Sequence, residues 1–215
     1  GYDLPSRVAD HLHWLGRHAE RAENAARLLR TISARLASES NHECAVEAAT
    51  LLATITGPSA DAWPFTTDVH RMRADIQALV HDPDRSGSVR EHIDRLWRTA
   101  SVVRDRISID SWKVLARVRR DSLAGRMPLR SLPASVADVL PHLDTLIFDL
   151  AAFAGLGMES MTRGPGWRFL DMGRRIERAS AAISLLSAAL AVSRPSSVAD
   201  GLRGDTPRLD EMLLE

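Results

Sequence analysis

Apolar positions along this chain recur at steps of three and four, and no stretch alternates convincingly with the period of two that marks a half-buried strand. The pattern predicts an all-α fold of about seven helices. Ser6 is the expected cap of the first, which runs to about Leu36 before the Ser38-Glu39-Ser40-Asn41 stretch breaks it. A second carries Cys44, Val46, Ala48, Leu51 and Leu52 to about Ile55 and ends before Gly57-Pro58-Ser59. Trp63-Pro64-Phe65 reads as an aromatic loop plug, after which Thr66 or Thr67 caps a third helix to about Val80. Ser88 and Glu91 have capping-box spacing and open a fourth, with Val89, Ile93, Leu96, Val103 and Ile107 on its apolar side. Ser108 caps a fifth, where Asp110 suits the positive end of the helix dipole and Trp112, Leu115 and Val118 point inward. Beyond a linker from Gly125 to Pro133, Ser135 opens a sixth that kinks or restarts at Pro141. The Gly164-Pro165-Gly166 turn leads into the seventh. The expected organisation is one helical domain over residues 1–192, then a Ser/Pro/Gly-rich tail over residues 193–215 that leads to a truncated helix. Both ends look cut from something longer.

Two helices carry the same phrase. A shift of 157 positions (173 − 16) lays Gly16-Arg17 on Gly173-Arg174 and Glu20-Arg21-Ala22 on Glu177-Arg178-Ala179. It also lays the stripe Val8, Leu12, Leu15, Ala19, Ala22, Ala26 and Leu29 onto Phe169, Met172, Ile176, Ala179, Ile183, Leu186 and Leu190, with the offset beginning at Leu12. Each stripe has the spacing of a helix packed against other helices. The first and seventh helices are therefore expected to form a central, pseudo-twofold pair, with Gly16 close to Gly173. Glycine weakens a helix interior by about 1 kcal/mol relative to alanine, which makes sense where another backbone or a ligand comes close.

The twin phrase admits two chemistries. Arg17, Arg21, Arg174 and Arg178 could form a basic pocket for a carboxylate or phosphate, with Glu20 and Glu177 as orienting groups or as acid and base. Alternatively, each glutamate pairs with arginines of the other copy, and the lattice fixes register. The second is the heavier expectation. His18 lies beside the cluster, and Trp14 and Trp167 flank the two copies and are expected to wall one cleft. Arg104, in a locally basic middle stretch, is a further candidate for the same cluster.

These residues carry a family resemblance. Leu4-Pro5-Ser6-Arg7-Val8-Ala9-Asp10, Trp14-Leu15-Gly16-Arg17, Glu20-Arg21-Ala22-Glu23, Val103-Arg104-Asp105-Arg106-Ile107-Ser108 and Gly173-Arg174-Arg175-Ile176-Glu177-Arg178 together resemble the bacterial alpha-E family, an all-helical domain named for its Glu-Arg signature. The resemblance covers nearly the whole chain. It implies companionship with a circularly permuted ATP-grasp ligase, fused or separate, and occurrence near transglutaminase-like proteases. It implies an accessory domain of an amide (peptide) ligase system that binds or positions a carboxylate-bearing peptide or amino acid, or the ligase domain itself. ATP and magnesium would then belong only to that ligase domain. The wording of Leu4–Asp10 and Thr162–Trp167 resembles the fused form, whereas Thr99-Ala100-Ser101 departs from the Asn-Ala-Arg stretch of the stand-alone form.

Composition narrows the rest. Twenty-eight basic and 28 acidic residues cancel, so no global field favours nucleic acid or an anionic membrane. Cys44 is alone, which excludes an intrachain disulfide and suits a reducing, cytoplasmic setting. No signal peptide is visible, and no apolar run is expected to approach the length of a transmembrane helix. The eight histidines include no Glu-x-x-His or His-Glu-x-x-His pair, and no metal is expected. There is no Gly-x-Ser-x-Gly elbow, no phosphate-cradling loop and no dinucleotide fingerprint.

Overall fold

The structure is a computed structural model, and it describes residues 4–38, 42–56, 68–124 and 136–192. Among these residues every regular element is helical: α1 (Ser6–Ser38), α2 (His42–Thr56), α3 (Val69–His81), α4 (Val89–Val102), α5 (Ile109–Ala124), α6 (Leu140–Ser160) and α7 (Pro165–Val192). Two short 3-10 turns, Arg104–Arg106 and Val136–Val139, precede α5 and α6. The aromatic plug, the Gly125–Pro133 linker and the tail expected from the sequence lie outside the described residues.

Helix α1 is the column on which the fold is built. It touches α2, α3, α4, α6 and, most extensively, α7. Its seam of Leu12, Leu15, Ala19, Ala22, Ala26, Leu29, Ile32 and Leu36 is buried in one continuous core with Ile93 and Leu96 of α4 and Leu143, Leu146 and Leu150 of α6. Alanine at so many inward positions favours the helix and leaves room for several neighbours at close range. Helix α5 packs on α4 and α6, while α7 lies on α1 and α2.

The caps follow the sequence in part. The Ser88 hydroxyl accepts from the Glu91 amide at 3.0 Å, and the Glu91 carboxylate accepts from the Gly87 amide at 2.9 Å, one residue before the usual capping-box partner. Ser108 accepts from the Ser111 amide at 3.1 Å, as expected of a cap. At α1 the Val8 and Ala9 amides donate to the Pro5 carbonyl, so the chain enters the helix one residue earlier than a Ser6 cap requires. At α3 the cap is Asp68, whose carboxylate accepts from the His70 amide; Thr66 and Thr67 lie outside the described residues. Pro141 occupies the first turn of α6, where its missing amide hydrogen costs nothing, so it marks a new helix start after the 3-10 turn.

Two sequence expectations need correction. Val136–Ser160 is in fact long and apolar enough to cross a bilayer by length and composition. In the fold, however, Leu143, Leu146, Ile147, Leu150 and Phe153 from this segment pack into the core, and its buried Asp149 is clasped by Arg117 of α5. Second, the α7 stripe does not face other helices. Met172, Ile176, Ala179, Ile183, Leu186 and Leu190 are all exposed, whereas Phe169 is half-buried. Helix α7 instead turns Leu170, Gly173 and Glu177 inward, because its glycine and glutamate side meets α1 backbone to backbone.

Candidate functional site

The contact between α1 and α7 is built by the repeated phrase. A Cβ added at Gly16 would fall on the Leu170 carbonyl oxygen and 3.0 Å from the Arg174 nitrogen. One added at Gly173 would fall on the His13 carbonyl oxygen and 3.3 Å from the Arg17 nitrogen. Leu170 and Arg174 stand 157 positions after His13 and Arg17, so each glycine admits the same two residues of the opposite copy. No side chain larger than hydrogen fits at either position without parting the helices.

One turn further along, the charges meet with the same reciprocity. Glu177 accepts from Arg17 Nε at 2.6 Å through one oxygen and from Arg21 Nε at 2.7 Å through the other. Glu20 accepts from Arg174 Nε at 2.9 Å and from Arg178 through Nη2 at 2.8 Å and Nε at 3.3 Å. Glu20 is 2% exposed and Glu177 8%, so both carboxylates are withdrawn from water behind the guanidiniums. Burial alone would raise the Glu177 carboxyl, but hydrogen bonds from Arg21 and Arg17 outweigh it and hold it below its ordinary value. The four arginines are graded in access: Arg174, Arg17 and Arg21 are largely covered, while the Arg178 side chain remains 67% exposed.

Around this lattice the other expected residues divide. Trp14 stacks on His18 with ring centroids 5.6 Å apart and lies under the Arg17 guanidinium. His18 is buried; burial, then the charges of Arg21, Arg95 and His92, depress it from 6.5 to about 4, so it is neutral at physiological pH. His92 of α4 is likewise lowered to about 4, chiefly by burial. Trp167 is elsewhere: Arg163 lies over its ring, and it lines a cavity with Leu4, Pro5, Asp105 and Arg106 at the start of α7. Arg104 also stands apart, stacked over Trp112 at 4.8 Å.

Sequence reasoning missed three contacts. Trp97 and Trp112 pack with centroids 4.5 Å apart, and Arg119 lies over Trp97 as Arg104 does over Trp112. Arg90, buried in α4, donates to the Ser122 carbonyl at 2.7 Å and ties α4 to α5. Arg117 grips Asp149 through two bonds of 2.8 and 2.5 Å. The signal for the last was available: Asp149 is a lone carboxylate in a run from Leu146 to Phe153 that is otherwise apolar.

Chemically, the lattice presents basic edges rather than a reactive group. Arg174, Arg175 and Arg178 line an open cavity of about 550 Å³ with Met158, Asp171, Ala179 and Ala182. Among the described residues no cluster of three or more His, Cys, Asp or Glu side chains could hold a metal.

A family model described as a predicted alpha-helical domain with a conserved ER motif matches residues 4–214. This chain belongs to the Alpha-E family. The Glu-Arg pairs at positions 20–21 and 177–178 are two copies of such a motif, and the geometry above shows what each does: its glutamate reaches across to arginines of the other copy. Alpha-E relatives include the uncharacterised protein Rv2567 of Mycobacterium tuberculosis, 32% identical over 199 residues, which covers 87% of this chain and 22% of that protein. The uncharacterised protein Mb2597 of Mycobacterium bovis matches to the same extent. The chain thus spans about a fifth of the length of these curated relatives. No solved structure matches it.

Proposed function

We propose that this Alpha-E chain is a helical accessory module of an ATP-grasp-type amide ligase system, which binds or positions a carboxylate-bearing peptide or amino acid for a ligase domain. The observation that carries this reading is the occupation of both motif carboxylates. Each accepts from two arginines of the opposite helix, so the motif works as a clamp between α1 and α7. The competing reading makes Glu20 or Glu177 an acid or base in an Arg-lined pocket. It requires a carboxylate that a substrate can reach, and here the guanidiniums stand between each glutamate and water.

What remains available to a ligand is the exposed edge of Arg178 and of Arg175. Arg175 Nε also donates to Asp171 at 2.7 Å, and its other guanidinium nitrogens are left for a ligand. A guanidinium fork suits a carboxylate, and the apolar Met158 and Ala182 beside it suit an aliphatic side chain. ATP and magnesium belong in this reading to a circularly permuted ATP-grasp partner, fused or separate, in a cytoplasmic system that can also include a transglutaminase-like protease. The great length of the relatives beyond the matched region is consistent with fused companions.

Calorimetric titration tests both parts. Mg-ATP gives no binding heat with this chain, whereas short peptides with a free C-terminal carboxylate bind saturably and lose affinity about tenfold in Arg175→Ala. Saturable Mg-ATP binding, or peptides bound equally by Arg175→Ala, would refute the proposal.

A further inference from the structure

The exposed stripe of α7 is not a scatter of surface residues. Met172, Ile176, Ala179, Ile183, Leu186 and Leu190 follow one another at four, three, four, three and four positions, so they form a straight seam about 27 Å long at 1.5 Å per residue. Ile183 is 64% exposed and Leu190 56%. The corresponding α1 positions, Leu15, Ala19, Ala22, Ala26 and Leu29, are buried by this chain's own helices. At two of these positions the α7 side chain is larger than its α1 counterpart, Ile176 for Ala19 and Ile183 for Ala26, and at two it is the same, Ala179 for Ala22 and Leu186 for Leu29.

We propose that this seam is the interface of a homodimer, in which α7 of one copy packs antiparallel on α7 of a second. Three features fit a second copy in that orientation. The spacing reads the same from either end, so reversal sets Met172 against Leu190, Ile176 against Leu186 and the small Ala179 against Ile183. Such an arrangement is self-complementary, as an isologous twofold contact requires. The charges agree as well. Arg175 and Arg178 lie at one end, and no charged residue occurs from Ala179 to Val192. Antiparallel packing therefore puts each pair of arginines beside the uncharged end of the other copy, whereas parallel packing would bring like charges together. Finally, the seam is continuous with exposed small residues on both flanks, Ser180, Ala182 and Ser187, which let a second helix approach closely along its whole length. Ala179 also lines the cavity of Arg174, Arg175 and Arg178, so the second copy would close one side of it.

Sedimentation equilibrium and cysteine cross-linking test this directly. The 23.7 kDa chain sediments as a dimer at micromolar concentration, and Ile183→Glu makes it monomeric without changing its circular dichroism, because Ile183 is 64% exposed within its own copy. Its thermal midpoint falls only to that of the dissociated wild-type chain at high dilution. A short bis-maleimide links Ser180→Cys to itself, near the twofold, but not Met172→Cys, whose copies stand roughly 27 Å apart. A wild-type chain that is monomeric at about 100 μM overturns the proposal and leaves the seam to another part of a longer polypeptide. A dimer that survives Ile183→Glu, or one that cross-links through Met172→Cys, overturns it too.

Discussion

Helices α1 and α7 begin from one sequence phrase and end in different surroundings. Both donate a glycine and a Glu-Arg pair to their mutual contact, and there the two are interchangeable at a shift of 157. Away from that contact they diverge. Helix α1 is enclosed by α2, α4 and α6, so its apolar seam is core; α7 rests chiefly on α1 and α2, and its seam faces outward. The difference teaches that the repeat encodes a clamp, not a hydrophobic seam. What must recur is the small residue that allows approach and the carboxylate that spans it. The apolar stripe beside them recurs in pattern, while its partner depends on what the rest of the chain supplies.

The largest effect should come from breaking the clamp. Glu20→Ala strands Arg174, which is largely covered, and releases the more exposed Arg178, so unfolding free energy should fall by about 3–5 kcal/mol in denaturant titrations. Glu20→Gln keeps the shape and some acceptance, and should cost less than half as much. A Glu20→Ala protein as stable as wild type would mean that the repeated phrase does not hold the two helices together.

The divergence itself is sharpened by one pair of truncations. Leu29 and Leu186 are equivalent under the shift, but Leu29 is wholly buried and Leu186 is 45% exposed. Leu29→Ala should cost about 3 kcal/mol, as a cavity in a packed core does. In monomeric protein Leu186→Ala should cost well under 1 kcal/mol. Equal losses would show that the α7 seam is covered after all.

Acid should distinguish the two sides of α1 by smaller steps. His18, His81 and His92 are each lowered to about 4, chiefly by burial, against 6.5 for a free imidazole. The unfolded chain therefore binds more protons between these values. Stability from these groups is complete above about pH 6.5 and is lost as pH falls toward 4. Per histidine the change between pH 7 and 6 is on the order of 0.7 kcal/mol. Glu177 acts lower: its folded carboxyl titrates below its unfolded one, so its contribution holds at neutral pH and disappears only as pH drops through the folded value. Chemical denaturation at a series of pH values should show proton uptake on unfolding of about 2.6 from these three near pH 5, with a further contribution from His142, which burial also lowers; uptake near zero would place these imidazoles in water.

Much of this was legible from residue order alone. Helix periodicity, the Ser88 and Ser108 caps and the Pro141 restart are local, so the sequence pattern reaches them. The cross-helix glutamate contacts were legible for another reason: a phrase that occurs twice constrains its own partner. The orientation of α7 was not. A stripe at steps of three and four says that one side is apolar, but whether that side is covered depends on the placement of α4 and α6, which no feature of α7 encodes. Trp167 and Arg104 were misassigned to the cluster for a similar cause. Closeness to a motif along the chain does not fix which face of a helix end a side chain takes, and these two serve neighbouring cavities and rings instead.

The central claim, that the Glu-Arg motif is a reciprocal clamp, is tested most directly by a double-mutant cycle on Glu20 and Arg174, whose carboxylate and guanidinium meet at 2.9 Å. Unfolding free energies of wild type, Glu20→Gln, Arg174→Met and the double variant should give a coupling of about 1–3 kcal/mol, as expected for two buried groups in one network. The same cycle on Glu177 and Arg17 should give a coupling of similar size, since those residues meet in the same way at 2.6 Å. Coupling in both pairs is the predicted result; additivity in either would contradict the account.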